Sequence, residues 1–118
     1  MTYKEVSNMV GEIGLPYAYY QFPNGTELSC PFVCFFFTGS DDLMADNSNY
    51  QRIRPLAIEL YTNSKDFTLE ETVEGVLADH GITYAREESY IDDQRMYLVV
   101  YTADIIITEE MEESENGK

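Results

Sequence analysis

The sequence has little positive charge. It carries seven Lys and Arg against 22 Asp and Glu, which gives a formal net charge of −15 at pH 7. Proteins that bind the phosphate backbone need clustered Lys and Arg, so this balance argues against a nucleic-acid-binding function, although it allows proximity to DNA without adhesion. The last ten residues hold five acids and one base, so most of the negative charge belongs to residues 1–108.

The residue patterns of common catalytic sites are also scarce. His80 is the only histidine, no serine lies in a Gly-x-Ser-x-Gly turn, and no glycine-rich loop suits a phosphate group. Adjacent acids such as Asp41-Asp42 do not form a catalytic pair, because neighbours on a strand face opposite ways and acids in turns are solvated. We therefore expect that the protein is not an enzyme.

Ligand sets for metals or cofactors are missing as well. The segment Asp41–Asn49 is rich in oxygen ligands but lacks the alternating pattern and terminal Glu of a calcium-binding EF-hand loop, so a solvated loop is favoured. Cys30 and Cys34 lack the second ligand pair of a zinc site. In an extended segment their Cα atoms are too far apart for an easy disulfide, which favours buried free thiols in a reducing compartment. We expect no metal and no cofactor.

Long hydrophobic runs are absent, and the N-terminus has no basic start leading into an apolar stretch, so we expect neither export nor membrane insertion. The apolar content of 44% and the aromatic content of 14% are nevertheless typical of a packed globular core. A length of 118 residues suits one core. We predict a single domain over residues 1–108 and an acidic, flexible tail over residues 109–118.

Two segments have the pattern of a capped helix. Thr2 and Glu5 form a capping box before an apolar stripe that predicts a first helix over residues 2–13. Thr68 and Glu71 repeat the box, and Gly81 marks the end of the second helix, whose last turn contains His80.

Strand patterns fill much of the remaining chain, in the order α-β-β-β-α-β-β. Turn residues at 23–26 and 92–94 predict two hairpins, so we expect an α+β fold with a mainly antiparallel or mixed sheet of about five strands and two helices packed on one face. Pro55 places the start of the third strand at an edge or a bulge, and the polar residues 39–49 predict a loop. The predicted strands are Tyr17–Phe22, Phe32–Phe37, Ile53–Thr62, Ile82–Tyr90 and Arg95–Thr108.

The second face of this sheet has no obvious cover. In residues 32–37 every side chain is apolar on both faces, and the last strand is similar. Two short helices cover only one face, so a neighbouring subunit is the favoured cover, with a monomer roofed by its own loops as the alternative. The ten tyrosines suit an interface because each combines apolar area with a polar tip. The candidate subunit-interface residues are Phe35, Phe37, Tyr61, Tyr97 and Tyr101.

The whole chain resembles the small tail terminator proteins (also called tail completion or tail-to-head joining proteins) of long, non-contractile-tailed bacteriophages and of prophages of Gram-positive bacteria. The order and spacing of several short motifs carry this resemblance. The motifs are Tyr19–Phe22, Pro31–Phe35, Asp46–Tyr50, Glu59–Thr62, Lys65-Asp66, and Leu69–Leu77 running into Gly81–Tyr84.

The resemblance implies a structural role without turnover. Proteins of this family form hexameric rings that cap a completed tail tube, stop its polymerisation and present a surface to the head connector. The implied partners are further copies of the chain, the major tail tube protein and the head-completion or connector protein, with DNA passing through without specific binding and no membrane. The implied location is the head–tail joint of the virion, and the host cytoplasm during assembly. The candidate lumen or adjoining-ring residues are Asp41, Asp42, Asp46, Glu109 and Glu110.

Two other functions stay open. One is a head-completion or connector ring on the other side of the same joint, since such proteins are also small and acidic. The other is an acidic DNA-mimic inhibitor, whose surface carboxylates imitate phosphates.

Overall fold

The computed structural model describes residues 1–25, 28–45 and 48–108. The helices and strands follow the order expected from the sequence, with one additional short strand, and the α+β fold class is confirmed. No helix in these ranges is long and apolar enough to cross a membrane. The elements are α1 (Tyr3–Gly11), β1 (Tyr17–Tyr19), β2 (Phe32–Phe37), β3 (Leu43–Ala45), β4 (Ser48–Thr62), α2 (Phe67–Asp79), β5 (Ala85–Ile91) and β6 (Met96–Ile107).

One mixed sheet organises the fold. Its strands lie in the order β1-β2-β4-β6-β5, and β3 pairs with the first part of β4. The β1–β2 pair is parallel and the other pairs are antiparallel. The longest strand, β4, lies at the centre and pairs with β6 from Arg52 opposite Ile107 to Thr62 opposite Tyr97.

The start of α1 confirms the predicted capping box. The Thr2 hydroxyl accepts a hydrogen bond from the Glu5 N–H (3.0 Å), and the Glu5 carboxylate accepts one from the Thr2 N–H (2.9 Å). These two bonds satisfy N–H groups that have no partner within the helix. The helix ends at Gly11, two residues before the predicted end, and Gly14 then takes a left-handed conformation at φ +90°.

The predicted cap of α2 is wrong. Asp66, not Thr68, is the N-cap, and its side chain accepts a hydrogen bond from the Leu69 N–H (3.0 Å). A carboxylate at this position satisfies the same kind of N–H group as a threonine hydroxyl and also interacts favourably with the positive end of the helix dipole. The helix therefore begins at Phe67, and Thr68 lies in its first turn.

The predicted hairpin after β1 is also wrong. Tyr20 adopts a left-handed conformation at φ 70°, which ends β1 after three residues. Pro23–Gly25 still forms a local turn, but the connection is long enough to return the chain to the same end of the sheet, so β2 runs parallel to β1. The turn predicted at residues 92–94 is confirmed as a short 3₁₀ segment between β5 and β6.

The predicted loop at residues 39–49 contains β3 and the beginning of β4. Pro55 lies inside the central strand rather than at its start, where it pairs with Asp104 of β6. It is tolerated because β2 ends at Phe37, opposite Leu56. Beyond that end, the Pro55 carbonyl accepts a hydrogen bond from the N–H of Thr38 in the following loop (2.9 Å). The nitrogen that lacks a hydrogen therefore points beyond the end of β2.

Both helices pack on one face of the sheet, as predicted. The core lies between them and that face. It contains Val6, Met9, Val10 and Ile13 of α1, Val73 and Leu77 of α2, Val33 and Phe35 of β2, Leu56, Ile58 and Leu60 of β4, and Val99, Tyr101, Ile105 and Ile107 of β6.

Candidate assembly surface

The opposite face of the sheet has no helix packed on it, and we call it the open face. Because side chains alternate along a strand, the register assigns to it the strand residues between the core positions. Phe32, Phe36 and Tyr61 are only half-buried, and Ile106 is 47% exposed. The open face includes Phe32, Cys34 and Phe36 of β2, Ala57, Glu59 and Tyr61 of β4, Leu98, Val100, Asp104 and Ile106 of β6, and Glu87 of β5.

Aromatic rings contact one another along the part of the open face at β2. Phe32 stacks on Tyr61 with ring centroids 4.7 Å apart. The segment after β1 folds over the margin at β2, where Tyr20 lies 4.7 Å from Phe36 and Phe22 lies 5.7 Å from Phe32. The chain's own loop therefore covers part of the face near β2, and the half-buried Leu98 and Val100 on β6 lie beyond these contacts.

Glu59 places one carboxylate within the apolar surface. The Tyr61 hydroxyl donates a hydrogen bond to it (2.9 Å), and burial together with this bond raises the pKa of Tyr61. Burial, and then the charge of Glu59, also raises the pKa of the Cys34 thiol. The thiol therefore stays protonated and weakly nucleophilic. Cys30 and Cys34 are both free, as the sequence predicted, although Cys30 is only half-buried.

Two of the predicted interface residues pack in the core of the single chain and do not lie on the open face. Phe35 is 5% exposed and Tyr101 is 1% exposed, because both lie on the face that the helices cover. Phe37 and Tyr97 are half-buried on that same side, and Tyr97 contacts Tyr90 at 4.9 Å. Tyr61 alone of the five lies on the open face. A role for any of the five residues in a subunit contact stays a prediction.

The predicted interface residues did not include Phe32, Phe36, Leu98 and Val100. A usable signal was present in β4, where Leu56, Ile58 and Leu60 alternate with Ala57, Glu59 and Tyr61. The row that contains the acid is the one that faces away from the helices, and strand pairing then places the missed residues beside it.

The predicted lumen residues have different surroundings. Asp41 is exposed. The Asp42 side chain is only 5% exposed, since it accepts a hydrogen bond from the Ile53 N–H (2.9 Å) and forms an ion pair with Arg54. Asp42 therefore fixes its loop to β4 and offers little charge to a lumen. Asp46, Glu109 and Glu110, like the predicted flexible tail, lie outside the described residues.

A second surface feature, the aromatic groove, lies on the helix side of the sheet and has a volume of about 540 Å³. The ring of Tyr3 meets Phe37 edge-on at 5.2 Å, and Tyr19 meets Phe35 in the same way at 5.3 Å. Tyr3 and Tyr19 are 41% and 52% exposed, so much of the wall is open to solvent. The groove is lined by Tyr3, Ser7, Tyr19, Phe35, Phe37, Gly39 and Arg54.

A third feature, the Glu70 cluster, consists of Lys65, Glu70, Arg86 and Glu88. Glu70 lies in the first turn of α2 with its side chain 6% exposed, and it accepts hydrogen bonds from both Lys65 and Arg86. Glu88, with its side chain 35% exposed, accepts from the same two cations at 2.8 and 3.2 Å. Hydrogen bonding to Glu70 raises the pKa of Arg86. The cluster ties α2 to β5.

Within the described ranges, no group of three or more His, Cys, Asp and Glu is arranged to hold a metal ion. A comparison with protein-family models and a comparison with curated protein sequences found no match. Among solved structures, the fold is similar to that of a chain in the virion of a native gene transfer agent particle. The TM-score is 0.57 at 13% sequence identity, over 83% of this chain and 84% of that chain. The chain thus has the fold of a gene transfer agent virion chain.

Proposed function

We propose that this protein is a structural component of a phage-like virion that assembles with copies of itself through the open face, and that it is not an enzyme. More specifically, we propose that the protein is a tail terminator. Such a ring, expected to be a hexamer, caps the completed tail tube, stops tail polymerisation and joins the tail to the head connector. The open face is the observation that carries the proposal.

The composition of the open face favours self-association. Phe32, Phe36 and Tyr61 are half-buried on this face. Phe32 lies opposite Tyr61, Phe36 lies four residues further along β2, and Leu98 and Val100 lie on the neighbouring strand β6. Large contiguous apolar patches are uncommon on monomers and typically mark interaction sites. Aromatic residues are also enriched at subunit contacts. The shared fold of a chain in a gene transfer agent virion supports assembly with other virion proteins.

The charge of the chain fits a DNA conduit. A net charge of −15 repels the phosphate backbone, so DNA slides past a ring of such subunits without adhering. Charge of one sign also keeps the free subunits soluble before assembly.

The test is the mass of the purified protein by native mass spectrometry and sedimentation, alone and with tail tube protein. We expect a ring, either free or formed on the end of a tube. Phe36→Asp, on the open face, is expected to abolish it, whereas Thr83→Asp, at an exposed loop position, adds the same charge and is expected to leave it intact. A protein that stays monomeric and never binds tube ends would refute the proposal.

The same preparation separates the two other functions. A head-completion ring would bind the head connector rather than the tube end. A DNA mimic would remain a monomer or a dimer and would bind a nuclease or a repressor in competition with DNA.

A further inference from the structure

The ring requires a second surface, because a head-to-tail ring joins two different patches of neighbouring subunits. The open face supplies one of them. We infer that the aromatic groove is the other, so that the open face of one copy packs on the groove of the next. This inference rests on the proposed self-assembly.

The groove and the open face lie on opposite sides of the sheet, as a contact that repeats from subunit to subunit requires. The groove residues Phe35 and Phe37 point to the helix side of β2, whereas Phe32 and Phe36 point to the opposite side of the same strand. A contact between opposite faces cannot satisfy itself within a pair of subunits. It therefore propagates from one copy to the next and closes when the rotation per subunit allows it.

The charged strand residues of the open face and those of β4 beside the groove have opposite signs. Every charged strand residue on the described part of the open face is acidic, namely Glu59, Glu87 and Asp104. Arg54 lines the groove, and Arg52 lies two residues away on the same face of β4. Asp42 offsets the charge of Arg54, and Arg52 adds a second positive charge. Such complementarity favours the contact between unlike faces over the contact between two acidic open faces.

The groove also offers matching apolar chemistry. Its exposed tyrosines, Tyr3 and Tyr19, stand beside Phe37 and combine apolar area with hydroxyl groups. A volume of about 540 Å³ is enough for several side chains of a neighbouring sheet face. We conclude that the second copy's open face is the occupant of the groove.

A pair of single variants tests this assignment. Ser7→Glu places a larger, negatively charged side chain in the groove, and Asn8→Glu adds the same charge at an exposed position next to it on α1. Leu98→Glu places a charge on the open face, and Thr83→Glu is its control. Circular dichroism confirms folding of each variant, and Glu59→Arg replaces Leu98→Glu if the latter does not fold.

Each surface variant alone is expected to be monomeric, while both controls assemble like the wild type. An equimolar mixture of Ser7→Glu and Leu98→Glu is expected to form a dimer of one copy each, since one intact groove then meets one intact open face. Native mass spectrometry distinguishes this mixed dimer by mass.

Three results overturn the inference. If the Ser7→Glu variant still assembles, the groove is not part of the subunit contact. A mixture of folded variants that remains monomeric would show that the two surfaces do not pair. Wild-type protein that never assembles would overturn the proposed function together with this inference, whereas an assembling wild type with either of the first results refutes the pairing alone.

Discussion

The Glu70 cluster allows a sharp test of how burial governs the strength of an ion pair. Glu70 and Glu88 accept hydrogen bonds from the same two cations, Lys65 and Arg86, but their side chains are 6% and 35% exposed. Replacing Glu70 or Glu88 with Gln therefore removes the same negative charge, once from a buried position and once from a partly exposed one. We expect Glu70→Gln to destabilise the fold strongly and Glu88→Gln to have a much smaller effect, because solvent screens exposed ion pairs.

The magnitude for Glu70 follows from its two charge-assisted bonds. Removing one member of a fully buried ion pair costs about 3–5 kcal/mol. The cost is lower here, since Lys65 and Arg86 are 21% and 33% exposed and keep Glu88 as a partner. We expect a loss of about 2–3 kcal/mol for Glu70→Gln, a large fraction of a typical total of about 5–15 kcal/mol.

Urea titration followed by circular dichroism measures the difference, because the midpoint falls in proportion to stability at a constant slope. The melting temperature of Glu70→Gln should fall by roughly 10 °C. Equal losses for the two variants would refute the reasoning, as they would show that burial does not set the strength of these pairs.

Three further predictions concern Tyr101, Tyr61 and the start of α2. Tyr101→Ala should cost about 3–5 kcal/mol in urea titration, whereas Tyr61→Ala should leave the monomer folded and weaken self-association in native mass spectrometry. Burial and the hydrogen bond to Glu74 raise the pKa of Tyr101. The protonated phenol therefore stabilises the fold below the ordinary phenol pKa of about 10, and this stabilisation is lost as the pH rises above that value. In Tyr101→Phe, the urea midpoint should fall less between neutral and alkaline pH than it does in the wild type. Asp66→Ala should cost about 1 kcal/mol, and Thr68→Ala, which retains the Asp66 cap, should cost less.

The sequence predicted local structure well where short-range chemistry decides it. The Thr2–Glu5 box acts within one helical turn, so its pattern was sufficient to place the start of α1. At α2 two acceptors lie two residues apart, and Asp66 is the one that caps the helix. A box pattern alone does not rank such competing acceptors.

Features that depend on distant parts of the chain were less predictable. The turn at Pro23–Gly25 is local, but the direction of β2 depends on the course of the whole connection from β1. The two-sided apolar pattern of residues 32–37 correctly predicted a face that the helices leave open, yet the pattern is equally apolar on both sides. Only the tertiary packing reveals that Phe35 faces the helices and Phe36 does not.

The length of β4 has a mechanical consequence. Its 15 residues span about 50 Å at about 3.3 Å per residue, which matches the longest dimension of the molecule, 49 Å. From Leu56 to Tyr61 it is paired on both sides, with β2 and with β6, and its pairing with β6 extends from Arg52 to Thr62. A pulling force along this direction would load many ladder bonds together in shear rather than one after another. The fold is therefore expected to be stiffest along β4, and a subunit at a loaded joint would best resist force when β4 is aligned with the load.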